Sequence, residues 1–257
     1  MKQFIVDAFT DEVFHGNQAA VCVLDERLPD RLMMDIAAEN NLSETAFAVK
    51  AAEGYDLRWF TPGGEINLCG HATLATAYVL FRYYETDADR IVFHTLSGDL
   101  FTGRHGDGIE MDFPVYSLNR VPVTDEMAAA MGAAPKEAYI DRDLLLVYED
   151  EDIIRKMKPD FDKVQLLEGL GVGITAPGKD DDCVSRFFVP KLNVNEDPVT
   201  GSVHCMITPY WTERLGKSSI KAYQASKRGG RLTCELRGSR VIISGSAAVF
   251  AVSELMI

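Results

Sequence analysis

The sequence predicts an α+β protein built from two similar domains. Three observations carry that prediction. Strand-like and helix-like patterns alternate along the 257 residues; the cycle restarts after Pro114; and each half holds strands, a Gly-containing turn and an apolar helix in the same order. Length alone suggests ~1.7 domains. The halves share little identity, so the likeness is one of structure and not a sequence repeat. The expected site is the cleft between the two helix starts.

Each element follows from its residues. Met1–Phe9 and Val21–Leu24 read as strands, the second stopped by Asp25-Glu26. Leu28, Leu32 and Ile36 recur at helical spacing, with Pro29 tolerated in the first turn and Asn40-Asn41 ending the helix. Strands follow at Thr45–Val49 and Tyr55–Phe60, then a turn at Thr61-Pro62-Gly63-Gly64. His71 through Tyr84 is apolar nearly all round, which predicts a helix enclosed by other structure. Strands continue at Ile91–His94, Gly98–Arg104 and Gly108–Phe113, and Gly103–Gly108 reads as a hairpin link.

In the second half, Thr124-Asp125-Glu126 signals a helix start and Gly132 its end. Strands are expected at Ala138–Ile140, Leu144–Tyr148, Gly171–Ala176 and Val184–Val189, with a helix at Glu151–Met157. The apolar helix Ser202–Leu215 contains Pro209, which removes one backbone bond and bends it. Four more strands, Ala222–Gln224, Arg231–Leu236, Val241–Ser244 and Ala247–Val252, close the chain.

Composition narrows the function. With 26 basic and 39 acidic residues the net charge is −13, which repels nucleic acid and anionic membrane surfaces. The one basic knot, Lys227-Arg228-Gly229-Gly230-Arg231, reads as a hairpin turn. The five cysteines, Cys22, Cys69, Cys183, Cys205 and Cys234, form no C-x-x-C pair and no disulfide scaffold. No signal sequence or membrane-spanning run is visible. A cytoplasmic protein is expected.

Three short runs carry the chemistry: Asn41–Phe47 around Glu44, Leu68–Thr73 around Gly70-His71, and Glu196–Ser202. The last two are turns that each open an apolar helix, where unpaired N–H groups and the dipole suit a carboxylate or phosphate. A Glu beside such turns is what proton transfer on a small anion requires. Phosphate-loop and dinucleotide fingerprints are absent.

These runs, with Gln224–Gly230, Asp7–Thr10 and Gly16–Ala20, resemble the PhzF-like family of phenazine-biosynthesis-type isomerases. The resemblance covers essentially the whole chain. It implies a diaminopimelate-epimerase-like fold of two pseudo-symmetric domains, each a curled mixed sheet around a central helix, with bounds expected at 1–114 plus 247–257, and 115–246. It also implies cofactor-free proton-shuttle chemistry on a small carboxylate, and a homodimer. By motif position Glu44 matches the catalytic acid/base, with His71 and Asp197 completing the catalytic set. Gly70, Gly201 and Ser202 match the helix starts that bind the carboxylate, and Cys69 and Asn17 the rest of the substrate site.

Each residue has a blander use beside the functional one. Glu44 enters an apolar strand, where lost hydration raises a carboxyl's pKa; it is otherwise an edge-strand or turn residue. His71 near a helix N-terminus is expected neutral, and is otherwise a cap. Asp197 orients substrate or pairs with His71, or simply makes an Asx turn. Ser202 joins the anion pocket or is the helix N-cap. Cys69 stands where a two-thiol epimerase has a base, but Pro198-Val199 precedes Thr200-Gly201 where the second thiol is required, so Cys69 reads first as a small buried packing residue. Cys205 lies about one turn too far into its helix to replace it. Cys69, His71, His204 and Cys205 make a conceivable zinc set, but C-x-H and adjacent H-C are not usual ligand spacings, so no metal is expected. Three functions stay open: a cofactor-independent isomerase, an amino or imino acid epimerase or racemase, and a metabolite-binding protein without turnover.

Overall fold

The computed structural model describes residues 1–106 and 108–257. It divides into two compact units, Met1–Asp112 with Ser244–Ile257, and Phe113–Ile243.

The first unit is a mixed sheet wrapped on a buried helix. Its strands are β1 (Lys2–Ala8), β2 (Asn17–Leu24), β3 (Glu44–Lys50), β4 (Tyr55–Thr61), β5 (Gly64–Ile66), β6 (Arg90–Thr95), β7 (Gly98–His105) and β8 (Gly108–Pro114). Helix α1 (Asp30–Asn40) joins β2 to β3, which run parallel with Ala19 opposite Glu44. β1 pairs antiparallel with β2 and with the last strand of the chain, Ala247–Glu254. β3 pairs antiparallel with β4, which runs parallel to β6. The apolar run after Cys69 is α2 (Gly70–Tyr83), with Leu74, Ala75, Ala77, Val79 and Leu80 fully buried, as expected for an enclosed helix. A second layer of core, Met33, Ile36 and Ala37 of α1 against Cys22, Phe47 and Phe60, seals the other side of the sheet. The hairpin expected at 103–108 joins β7 to β8, with His105 opposite Gly108; Asp107 of that turn lies outside the described residues.

The second unit repeats the plan. Its strands are β9 (Asn119–Val121), β10 (Glu137–Ile140), β11 (Leu144–Val147), β12 (Val172–Pro177), β13 (Cys183–Val189), β14 (Val194–Asp197), β15 (Ser219–Gln224), β16 (Gly230–Arg237) and β17 (Arg240–Gly245). Helices α3 (Asp125–Met131), α4 (Glu151–Lys156) and α5 (Phe161–Val164) are short; α6 (Gly201–Leu215) is the buried one. Parallel pairs β11–β12 and β13–β15 alternate with antiparallel ones, so this sheet is mixed too. The β15–β16 hairpin turns at the twin glycines, where Gly229 has φ +68° and a Cβ would approach the Tyr223 hydroxyl to 2.3 Å. β9, β14, α5 and a single 3₁₀ turn at Pro190–Leu192 are additions to the expected elements; each is too short to show a period.

Pro209 sits inside α6 as predicted. Proline has no N–H to give the Cys205 carbonyl four residues back. The backbone N–H of Tyr116 donates to that carbonyl instead, at 3.1 Å, so the missing helical bond leaves no orphaned acceptor. Among the described residues no helix is long and apolar enough to cross a membrane.

Candidate active site

In the first unit the fold brings Glu44, Cys69, Gly70, His71 and Asn17 together. Gly16 adopts φ +65°, and a Cβ there would lie 2.1 Å from the Ala8 carbonyl oxygen, so only glycine makes this turn. The turn delivers Asn17, fully buried, as the first residue of β2. Asn41, left-handed at φ 49°, ends α1 and lets the chain re-enter the sheet so that Glu44 opens β3. Cys69 is the N-cap of α2; its side chain makes no capping bond, and the first turn carries no acidic residue. The first-turn N–H groups are therefore uncapped by side chains, the condition for holding an anion.

Glu44 Oε2 lies 2.9 Å from His71 Nε2, the two side chains being 14% and 7% exposed. The approach is that of an ion pair but is off the line of a good hydrogen bond, and neither atom has another protein partner. On the far side of the ring, Asn17 Nδ2 is 3.1 Å from Nδ1, and Cys69 Sγ is 3.5 Å from the same nitrogen. Burial disfavours the charged imidazole, but the Cys69 sulfur and the Glu44 carboxylate outweigh it and hold His71 well above the usual histidine pKa. Burial, reinforced by Glu44, raises the Cys69 thiol, so that thiol stays protonated at neutral pH and the Glu44 charge is the lasting cause at His71. The expectation of a neutral His71 is thus corrected: a carboxylate at contact distance overrides the helix start.

The second unit assembles a different set. Asp197 ends β14, and its carboxylate accepts a hydrogen bond from the Thr200 hydroxyl. The buried Gln224 accepts from the Thr200 N–H at 2.9 Å and donates to the Asp197 carbonyl at 2.8 Å. Sequence reading assigned Gln224 no role; an amide on a strand more than twenty residues away carries no local signal. Arg186 grips Glu196 with two bonds, of 2.7 and 2.8 Å, and anchors to the Met157 carbonyl at 2.8 Å. The residue before Asp197 is thereby pinned. Thr200, not Ser202, is the N-cap of α6; Gly201 and Ser202 are its first two residues, again with no side-chain cap and no acidic group in the first turn.

His204 and Cys205 are spent within α6. His204 Nδ1 donates to the Thr200 carbonyl at 2.6 Å, and the Cys205 thiol to the Gly201 carbonyl at 3.8 Å. Among the described residues the one compact ligand group is Glu44, Cys69 and His71, with ligand atoms within 4.8 Å of one another. Burial pushes His204 down to a pKa of about 4.

A family model described as "phenazine biosynthesis-like protein" (PhzC-PhzF) matches residues 6–253. An uncharacterized isomerase of Pseudomonas aeruginosa is 48% identical over 247 residues, covering 96% of this chain and 95% of the relative. A crystal structure of a phenazine biosynthesis protein of the PhzF family from Enterococcus faecalis is 50% identical, with a TM-score of 0.98 over 100% of this chain and 99% of that one. A probable proline racemase from Agrobacterium radiobacter shares the fold alone, at 10% identity and a TM-score of 0.66 over 100% of this chain and 93% of that one.

Proposed function

The chain belongs to the phenazine biosynthesis-like family, and on that premise we propose that it is an isomerase in which Glu44 moves a proton between carbons of a small carboxylate-bearing metabolite. One observation carries the reading: Glu44 Oε2 and His71 Nε2, both buried, face each other and no other protein partner. Buried polar atoms left without partners are costly in a protein that does nothing with them. The isomerase names of the curated relatives support the same reading.

In this mechanism Glu44 takes a proton from one carbon, the double bond shifts, and Glu44 returns the proton to another carbon. Atoms and charge balance without a co-reactant. His71 donates to the carboxylate or to the electron-rich substrate, and the uncapped N–H groups of α2 hold the substrate's carboxylate. Cys69 beside His71 favours a second reading, epimerisation with the thiol as the other proton carrier. Its raised pKa makes it a poor base at neutral pH, so the first reading stands ahead.

The test is solvent-deuterium exchange into candidate carboxylates, followed by mass spectrometry and chiral analysis. Isomerase action incorporates deuterium while moving a double bond. Inversion of a stereocentre in its place would install the epimerase reading, and absence of exchange across substrates that bind would reduce the protein to a binder.

A further inference from the structure

We infer that Asn17 is a positioning residue that fixes the tautomer of His71, so that the ring always presents Nε2–H to Glu44. The proton that comes and goes on His71 is then the one on Nδ1, turned away from Glu44. His71 is a donor at the reacting carboxylate and never a competing base.

The argument starts from what faces each ring nitrogen. Nδ1 has the Asn17 amide nitrogen at 3.1 Å and the Cys69 sulfur at 3.5 Å. An amide N–H and a thiol S–H are both donors, so in the neutral ring Nδ1 is the lone-pair nitrogen and the proton sits on Nε2. The alternative turns the amide over and places Asn17 Oδ1 against an Nδ1–H. The neutral ring would then aim the Nε2 lone pair at Glu44 Oε2, 2.9 Å away, a repulsive contact between two acceptors in a buried site. Geometry on both sides of the ring therefore selects the same tautomer.

Protonation leaves that face unchanged. When the ring takes a second proton it takes it on Nδ1, where the Asn17 amide oxygen, once turned to that side, would accept it; Nε2 still faces Glu44 Oε2. The titratable groups facing the ring are Glu44, from β3, and Cys69, preceding α2. Asn17 is fully buried, so water does not replace its amide. Its place is held by the Gly16 turn and by its register opposite Ala8 in β1.

This inference rests on the isomerase reading only for its catalytic consequence; the tautomer itself is a property of the ligand-free protein. Nitrogen-15 NMR of the His71 imidazole reads it directly, at a pH above the ring's own pKa. The expected signature is a protonated Nε2 and a lone-pair Nδ1. Asn17→Asp, which offers Nδ1 an acceptor at similar size, should put the proton on Nδ1 and raise the His71 titration by about 1 unit or more. Cys69→Ala should leave the wild-type tautomer in place. A wild-type ring protonated on Nδ1 in its neutral form overturns the inference, and that measurement suffices if Asn17→Asp does not fold. A tautomer that switches in Cys69→Ala, or is unmoved in folded Asn17→Asp, also overturns it. None of these readouts depends on turnover, so a failure here and a failure of the isomerase reading are told apart.

Discussion

His71 and His204 stand near the starts of two apolar helices, α2 and α6, both almost wholly buried. Their surroundings drive them apart. His71 has a carboxylate oxygen 2.9 Å from Nε2 and is held above the ordinary histidine pKa. His204 has only the Thr200 carbonyl on Nδ1 and the Ser185 hydroxyl 3.5 Å from Nε2, and burial takes it down to about 4. Burial acts on both rings in the same direction, and the Cys69 sulfur and Glu44 carboxylate beside His71 reverse the outcome there. The comparison separates a histidine held against a carboxylate from one bonded within its own helix.

The largest test of that contrast removes the carboxylate. Glu44→Gln should cost ~10²–10⁴ in turnover with the fold intact, since the amide keeps the shape and loses the proton. In the same variant the His71 titration should fall while His204 stays put. Wild-type turnover in Glu44→Gln, measured on any substrate found by deuterium exchange, would end the proposed mechanism.

The next concerns acid stability. Because His204 has a lower pKa folded than unfolded, the unfolded chain takes the proton first. Its contribution is complete above pH 6.5, is lost as pH falls toward about 4, and levels off below; over that window it amounts to at most about 3 kcal/mol. His71 has the opposite sign: its contribution is present below pH 6.5 and fades as pH rises through its raised folded value. Urea melts of wild type and His204→Gln at several pH values should show the acid slope shrinking in the variant. A slope unchanged in His204→Gln but abolished in His71→Gln would invert the comparison.

Smaller effects follow at the helix starts and at the thiol. Asp150 caps α4 by accepting from the Asp152 N–H at 2.6 Å, and Asp150→Ala should cost ~1 kcal/mol in thermal or chemical denaturation. The starts of α2 and α6 forgo such caps, so a dicarboxylate or sulfate should raise the melting temperature of wild type. Cys69→Ala should keep most of the activity and lose about 1 kcal/mol or less of stability. Alkylating reagents should react slowly with Cys69, since it is buried and its thiolate is disfavoured.

Much of this was legible from local pattern. The capping Thr124 and the terminating Gly132 mark α3 to the residue, and the period of Leu28, Leu32 and Ile36 announces α1, although Pro29 proves to precede the helix as its cap. Helix α2 begins one residue before the expected His71, at Gly70, and α6 one before Ser202, which moved the cap to Thr200. Glu44, Gly70 and His71 were picked out because an acid entering an apolar strand and a glycine-led helix start are visible in a few residues. The partnership of Gln224 with Thr200 and Asp197, and the rescue of the Cys205 carbonyl by Tyr116, were not. They join residues far apart in the chain, where no periodicity or cap speaks.

By itself the sequence determined which segments are strands and which are buried helices, because side-chain period and turn chemistry are local. It also determined that an acid, a histidine and two glycine-led helix starts are available. Only the tertiary structure decided the charge each of the two histidines prefers. A pKa depends on what stands within a few ångströms, and the parallel pairing that sets Ala19 opposite Glu44 brings together strands separated by a helix. That pairing belongs to the frame that puts a carboxylate on His71 and leaves His204 without one.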